Sequence, residues 1–336
     1  MGVSAPSMKF LCGAKSLGVD FTTTATIGRQ SFDPDEVSLR HTFEILGIKE
    51  DPGEFLRDND YSEAFFNLLG AKEVSSIDYS AYERADIVHD MNSPIPEDLR
   101  QRFSHVHDGG SIEHVFNVPQ AFKNCMEMVQ VGGHFTQVNC ANNFMGHGFW
   151  QFSVELLYRV FSPENGYQVQ ALVLHEVIPG GRWFMVVDPA AVRRRVALCN
   201  SVPTAICTIA KRISDNEVFS KPPLQSDYVA TWDSQTKSQR ESAAELVSND
   251  HGRPSLKQVV KSWVPAPVKR ALQHVRRGFT PAASSSEFDQ SCYYEIRKAI
   301  KLRRQGGFDP NHYKEIDEDT LLRGRLRADG DMKPGD

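Results

Sequence analysis

The sequence lacks most of the features that place a protein quickly. Its six cysteines (12, 125, 140, 199, 207 and 292) include no C-x-x-C pair. That argues against a disulfide framework and a thiolate zinc site, and points to a reducing compartment. No run of about 18 uncharged apolar residues occurs, so no membrane span is expected. The start of the chain lacks a charged segment followed by a long apolar core, so no signal peptide is expected. A net charge of −5 gives no reason to expect a nucleic-acid partner. The motif G-x-G-x-x-G is missing: after the first apolar run comes only Thr26-Ile27-Gly28-Arg29-Gln30, with one glycine and no acid. A nicotinamide-dependent oxidoreductase requires that motif and ranks last among the readings. There is no internal repeat.

What the sequence has is alternation. Residues 22–27 are rich in Thr and Ile, suited to a pleated surface, and end at Gly28. Asp33-Pro34 reads as a helix start, an acid cap and a first-position proline, with Val37, Phe43, Ile45 and Leu46 inward and Gly47 as the stop. Residues 50–60 read as a charged loop. Residues 61–69 read as a second helix, with Ala64, Phe65, Leu68 and Leu69 inward. Strands are expected at 74–77, ending in Asp78, and at 85–88, ending in His89-Asp90. Pro94-Ile95-Pro96 reads as a crossover loop.

The organising stretch is 103–117. A buried strand starting at Phe103 stops at Asp108-Gly109-Gly110, and Val118, Ala121, Phe122, Cys125, Met126 and Val129 then fall at helical spacing. Gly132-Gly133 ends that helix, and 134–138 starts a fifth strand. Strands alternating with helices predict an α/β fold with a doubly wound, mostly parallel sheet. Residues 153–161 read as helix. The stretches 167–177 and 182–187 read as an antiparallel hairpin at the sheet edge, and 203–213 as one more strand. Residues 1–7 read as loose and 8–17 as a short helix, so 1–20 forms an N-terminal extension.

Asp108, then Glu113-His114-Val115, a helix and Val131-Gly132-Gly133-His134-Phe135 together resemble the second half of a class I S-adenosylmethionine (SAM)-dependent methyltransferase domain. Gly146-His147-Gly148-Phe149-Trp150-Gln151-Phe152-Ser153 resembles a G-H-G-F-Y-Q-F-S signature of methyltransferase-like proteins associated with polysaccharide biosynthesis. The resemblance spans 22–232. It implies a Rossmann-like fold, S-adenosylmethionine as cofactor, and a small-molecule or glycan-related methyl acceptor.

A nucleotide-like cofactor in such a fold needs a tight glycine turn after the first strand, an acid ending the second for the ribose, and polar groups after the third for the adenine. Gly28 is the turn. Arg29 beside it either grips the ligand's carboxylate or is salt-bridged within the turn. Asp78 is placed for the ribose, Asp90, Met91 and Asn92 for the adenine edge, and Asp108, Gly109 and Gly110 form the loop after the fourth strand. A hydroxyl acceptor benefits from a general base, for which Glu113, His114 and His147 are candidates. The resemblance puts Glu113-His114 at the fourth methyltransferase motif, next to the methyl group. Each has a plainer reading: His114 as a locally bonded helix-start histidine, Glu113 as a dipole-favoured acid, His147 as part of an unusual Gly-His-Gly turn. Asn139, Asn142 and Asn143 either bind a sugar-like acceptor or make an Asn-rich turn. Phe144, Phe149 and Trp150 either line a pocket or belong to the core. His105 and His107 share a strand face, but no Glu or Cys stands at a recognised metal spacing, and no metal is expected.

Beyond 232 the composition changes. Residues 255–279 carry Lys257, Lys261, Lys269, Arg270, Arg276 and Arg277 with no acid. Their apolar residues have helix-like spacing, broken by Pro265 and Pro267. The segment reads either as a terminal helix packed on the domain or as an amphipathic helix making peripheral membrane contact. A linker at 281–286, a short helix at 293–304 and a charged, mobile end complete the tail. The expectation is therefore a cytoplasmic methyltransferase-like domain over 21–232 with a C-terminal extension over 233–336. It is either an active enzyme or an inactive fold serving as a binding or scaffold module.

Overall fold

The computed structural model describes residues 2–193, 195–233 and 312–326. The expectations for 234–304, the basic segment included, lie outside them. The chain opens with β1 (Gly2–Ser4) and helix α1 (Ala5–Leu17), then β2 (Thr23–Ile27) and β3 (Ser31–Asp33), which pairs with β1. Three helices follow: α2 (Glu36–Leu46), α3 (Pro52–Asp58) and α4 (Glu63–Leu68). After β4 (Glu73–Asp78) and β5 (Ile87–Val88) come β6 (Phe103–Asp108), α5 (Val118–Met128), β7 (Val129–Asn142) and α6 (Val154–Val160). The last elements are β8 (Tyr167–Glu176), β9 (Trp183–Val186), α7 (Pro189–Val192), β10 (Thr204–Arg212), β11 (Tyr313–Ile316) and α8 (Glu318–Leu322).

Nine strands form one sheet in the order β11-β9-β8-β10-β7-β6-β2-β4-β5. The pairings from β5 to β7 are parallel. Their order is third, second, first, fourth, fifth, a doubly wound arrangement whose winding reverses between β2 and β6. On the other side all four pairings are antiparallel. The sheet is thus mixed, where a mostly parallel one was expected. The expected β8–β9 hairpin forms, but β10 inserts between it and β7. The run Ala205-Ile206-Cys207-Thr208-Ile209-Ala210 is buried throughout, which suits a strand covered on both faces rather than one at an edge.

Alternate residues of each strand enter two cores. Leu172, Leu174 and Ile206 pack with α5 and α6. Ala171, Val173 and Cys207 pack with α1, α2, α4 and α8. Three local expectations need correction. α2 is capped by Asp35, whose carboxylate accepts the Ser38 N–H at 2.8 Å, because Asp33 is already committed to β3. Val37 is 78% exposed, outside the apolar face. The charged stretch 50–60 contains α3, capped by Asp51 through the Glu54 N–H at 2.8 Å and opened by Pro52 at its first position. The composition boundary at 232 also does not bound the sheet. β11 lengthens it, and α1, within the first twenty residues, packs with Leu321, Leu322 and Leu326 in one core.

Candidate functional site

The carboxyl ends of β5, β4, β2 and β6 line one rim, and the winding reversal makes the crevice between β2 and β6 the place where such folds hold ligands. β2 turns at Gly28, whose φ of +73° a glycine adopts without strain and whose N–H donates to the Ile77 carbonyl at 2.7 Å. Arg29 points away from the crevice. Its Nε donates to Glu63 at 2.7 Å, its Nη1 to the Glu83 carbonyl at 3.0 Å, and its guanidinium lies 3.8 Å from the Tyr61 ring centre. Gln30 is buried in the crevice instead. Its amide donates to the Ile27 carbonyl at 2.6 Å, and its Oε1 has no hydrogen-bond partner. A Cβ on Gly109 would stand 2.4 Å from that Oε1, so any larger residue there would have to move the Gln30 side chain. Nothing in the sequence marked Gln30; its burial is a tertiary fact.

Asp78 ends β4, and among the described residues its carboxylate accepts only the Ser80 N–H, at a long 3.4 Å. The His89 N–H donates to the Asp78 carbonyl at 2.8 Å, joining this strand end to the next loop. There Asp90 accepts the Asn92 N–H and side-chain amide at 2.9 and 2.8 Å, which holds its carboxyl below the usual range. Asn92 in turn accepts the Asn117 N–H at 2.9 Å, tying the loop to the start of α5. Met91, expected at an adenine edge, packs in the core on the α5 side of the sheet.

The end of β6 holds two buried acids. Asp108 accepts the N–H groups of Ser111 and Ile112 at 2.9 and 3.2 Å, and the Asn139 amide at 2.6 Å. The same amide donates its other hydrogen to Glu113 Oε2 at 2.7 Å. Burial, with the Glu113 carboxyl alongside, pushes Asp108 up to about 7; burial likewise raises Glu113. Asn139 therefore joins the two acids, a role the sequence reading did not give it. Gly110 reverses the chain at φ +91°, and a Cβ there would lie 3.3 Å from Glu113 Oε1.

The Gly-His-Gly turn belongs to a loop folded back on this network. Phe149 and Trp150 both donate backbone N–H groups to the Glu113 carbonyl, at 2.9 and 3.2 Å. Gly148 takes φ +67°, and a Cβ there would approach that carbonyl to 2.9 Å. Asn143 anchors the loop's start on the Val202 carbonyl at 2.8 Å, and Asn142 bonds Asn200 at 2.9 Å, so these two asparagines build the turn. The result sets His147 Nε2 3.6 Å from Glu113 Oε1 and its ring centre 4.9 Å from that of His114. Burial and the neighbouring His147 lower the His114 pKa, favouring the neutral imidazole. Phe116, Phe149 and Trp150 form an exposed aromatic group beside this cluster, with ring centres 5.8 and 6.5 Å from Phe116. They are not core.

His105 and His107 are buried and share the Thr136 hydroxyl at 2.8 and 2.9 Å. Burial pulls His107 down to about 3, so it is neutral at ordinary pH. Cavities of about 420 Å³ beside Arg159, Pro189 and Leu224, and about 390 Å³ beside Arg100, Glu127 and Arg212, lie away from this rim.

A SAM-type cofactor fits this rim unevenly. At the strand end where a ribose was expected, Asp78 keeps an under-used acceptor. At the turn where the ligand's carboxylate was expected, Gln30 is buried and Arg29 is held by Glu63. Among the described residues, no helix is long and apolar enough to cross a membrane.

No family model matches the chain, and no curated protein matches it. Similar solved structures include a Bacillus halodurans protein assigned as a methyltransferase, 10% identical, covering 61% of this chain and 99% of that one at a TM-score of 0.35. A Listeria monocytogenes protein assigned as SAM-dependent is 12% identical, covering 62% and 99% at 0.33. A SAM-dependent methyltransferase from Aquifex aeolicus is 10% identical, covering 58% and 86% at 0.29. These neighbours are methyltransferases, but the scores are too low to argue from, and the fold rests on the chain's own strand order.

Proposed function

We propose that this chain is a SAM-dependent methyltransferase acting on a small-molecule or glycan-related acceptor. The observation that carries the reading is the convergence of Glu113, His114 and His147 at the end of β6, beside the winding reversal. In this reading Asp78 accepts the ribose hydroxyls, and the Asp90–Asn92 loop borders the adenine. Gly28, Gly109 and Gly110 let the backbone come close. The bound cofactor would supply an electrophilic methyl group. The protein's part is mainly alignment, which accounts for much of the rate in such transfers. His114, neutral at ordinary pH, takes the acceptor's proton, and Glu113 holds His147 beside it. The aromatic group of Phe116, Phe149 and Trp150 offers a face for the apolar side of a sugar or ring acceptor. Gln30 favours a second reading, in which the crevice has closed and the fold serves as a binding or scaffold module.

Isothermal titration with SAM and S-adenosylhomocysteine separates the two. Saturable binding is expected, and Asp78→Ala should weaken it by about 1–3 kcal/mol through the lost ribose hydrogen bonds. No heat from folded protein with either compound would leave the binding-module reading.

A further inference from the structure

The Glu113, His114 and His147 cluster has a property that a general base does not need. One donor atom from each residue lies within 4.8 Å of the other two. Two imidazoles and a carboxylate are a recurrent donor set for divalent transition ions. Magnesium and calcium take oxygen ligands and fit it poorly.

Three further features mark the cluster as built. First, Glu113 is buried, and no lysine or arginine pairs with it among the described residues. A carboxylate in that position needs a proton or a cation. Second, its two oxygens are differentiated. Oε2 is held by the Asn139 amide at 2.7 Å, which leaves Oε1 toward His147 at 3.6 Å. A hydrogen-bonded partner that orients a ligating carboxylate is a usual part of metal sites. Third, the loop that carries His147 is clamped to the Glu113 carbonyl by two N–H groups and a close glycine approach. Donors on one tetrahedral ion stand about 3.4 Å apart, given bonds of about 2.1 Å. The Glu113–His147 spacing of 3.6 Å already matches, and the spacings to the exposed His114 ring are within 4.8 Å.

We propose that Glu113, His114 and His147 bind one divalent transition ion of the zinc type, with open positions facing the rim of Phe116, Phe149 and Trp150. An ion there would take an oxygen ligand such as an acceptor hydroxyl and lower its pKa, replacing the proton removal assigned to an unligated His114. The binding claim does not rest on the cofactor reading.

The test uses the untagged full-length chain, titrated with ZnCl₂ alone against a chromophoric chelator, with CoCl₂ spectra and MgCl₂ as further arms. One equivalent of zinc is expected, with visible ligand-field bands for cobalt. His147→Ala and His114→Ala, both at exposed positions, should each weaken zinc about 100-fold or more. Zinc bound equally by both variants would put the ion elsewhere and overturn the proposal. So would no zinc binding, or retention of magnesium alone. Zinc binding without SAM binding keeps this inference and removes the methyltransferase reading; SAM binding without zinc does the reverse.

Discussion

Gln30 follows the glycine turn, and its burial against Gly109 could not be read from a polar residue in a short loop. Asp108 was legible as a strand-end acid, because Asp-Gly-Gly is strong turn chemistry. That it shares one asparagine with Glu113 was not legible, since Asn139 lies 31 residues further on. The pair has a measurable consequence. Asp108 sits near 3.8 unfolded and about 7 folded, so the folded state holds the extra proton between those values. Its contribution to stability is therefore greatest at low pH and falls as pH rises from about 4 to about 7, at up to about 1.4 kcal/mol per pH unit. Urea midpoints across that range should fall less steeply for Asp108→Asn than for the parent; parallel profiles would show that Asp108 does not titrate in this window.

Among the elements, β10 and α5 depend on one another through Arg212. This buried guanidinium donates to the carbonyls of Met126 and Glu127 at 3.3 Å and of Val129 at 2.6 Å, and it pairs with Asp215 at 2.6 Å. Those carbonyls end α5, where the last helical turn leaves acceptors without intrahelical partners. Arg212→Met keeps the side chain's length and strips its donors. It should cost about 1–3 kcal/mol, because the Val129 carbonyl loses its short donor, while Met126 and Glu127 keep the Tyr167 hydroxyl at 2.6 Å and the Gln101 N–H at 2.8 Å. Denaturant unfolding measures this, and a loss under about 0.5 kcal/mol would mean solvent satisfies the carbonyls. The strand and the helix were each legible from periodicity. The clamp between them was not, because nothing local tells an end-of-strand arginine from a solvated one. α3 went unread for the opposite reason: its charged composition looks like loop, and only the Asp51-Pro52 cap gives it away.

For the whole molecule, the returning segment at 312–326 matters most. Leu321, Leu322 and Leu326 are fully buried in the core that contains Phe10 and Leu11. α8 approaches α1 so closely that a Cβ on Gly13 would stand 2.2 Å from the Leu321 carbonyl. Leu322→Ala should destabilise the fold by about 2–5 kcal/mol, the range for emptying a buried leucine site. Thermal or urea unfolding reads this, and an unchanged midpoint would show that the segment only rests on the surface. The sequence by itself determined the alternation of strands and helices, the strand-end acids Asp78 and Asp108, and the Glu113-His114 pair. The alternation and the acids follow from side-chain period, turn residues and capping, which act over a few positions; the Glu113-His114 pair was marked by the resemblance to methyltransferases. Only the tertiary structure decided that β10 enters the sheet, that Gln30 closes on Gly109, that His147 meets Glu113, and that the end of the chain completes a core begun by its first helix. Each of these is a contact between distant residues, chosen by which burial and hydrogen bonding the assembled sheet makes available.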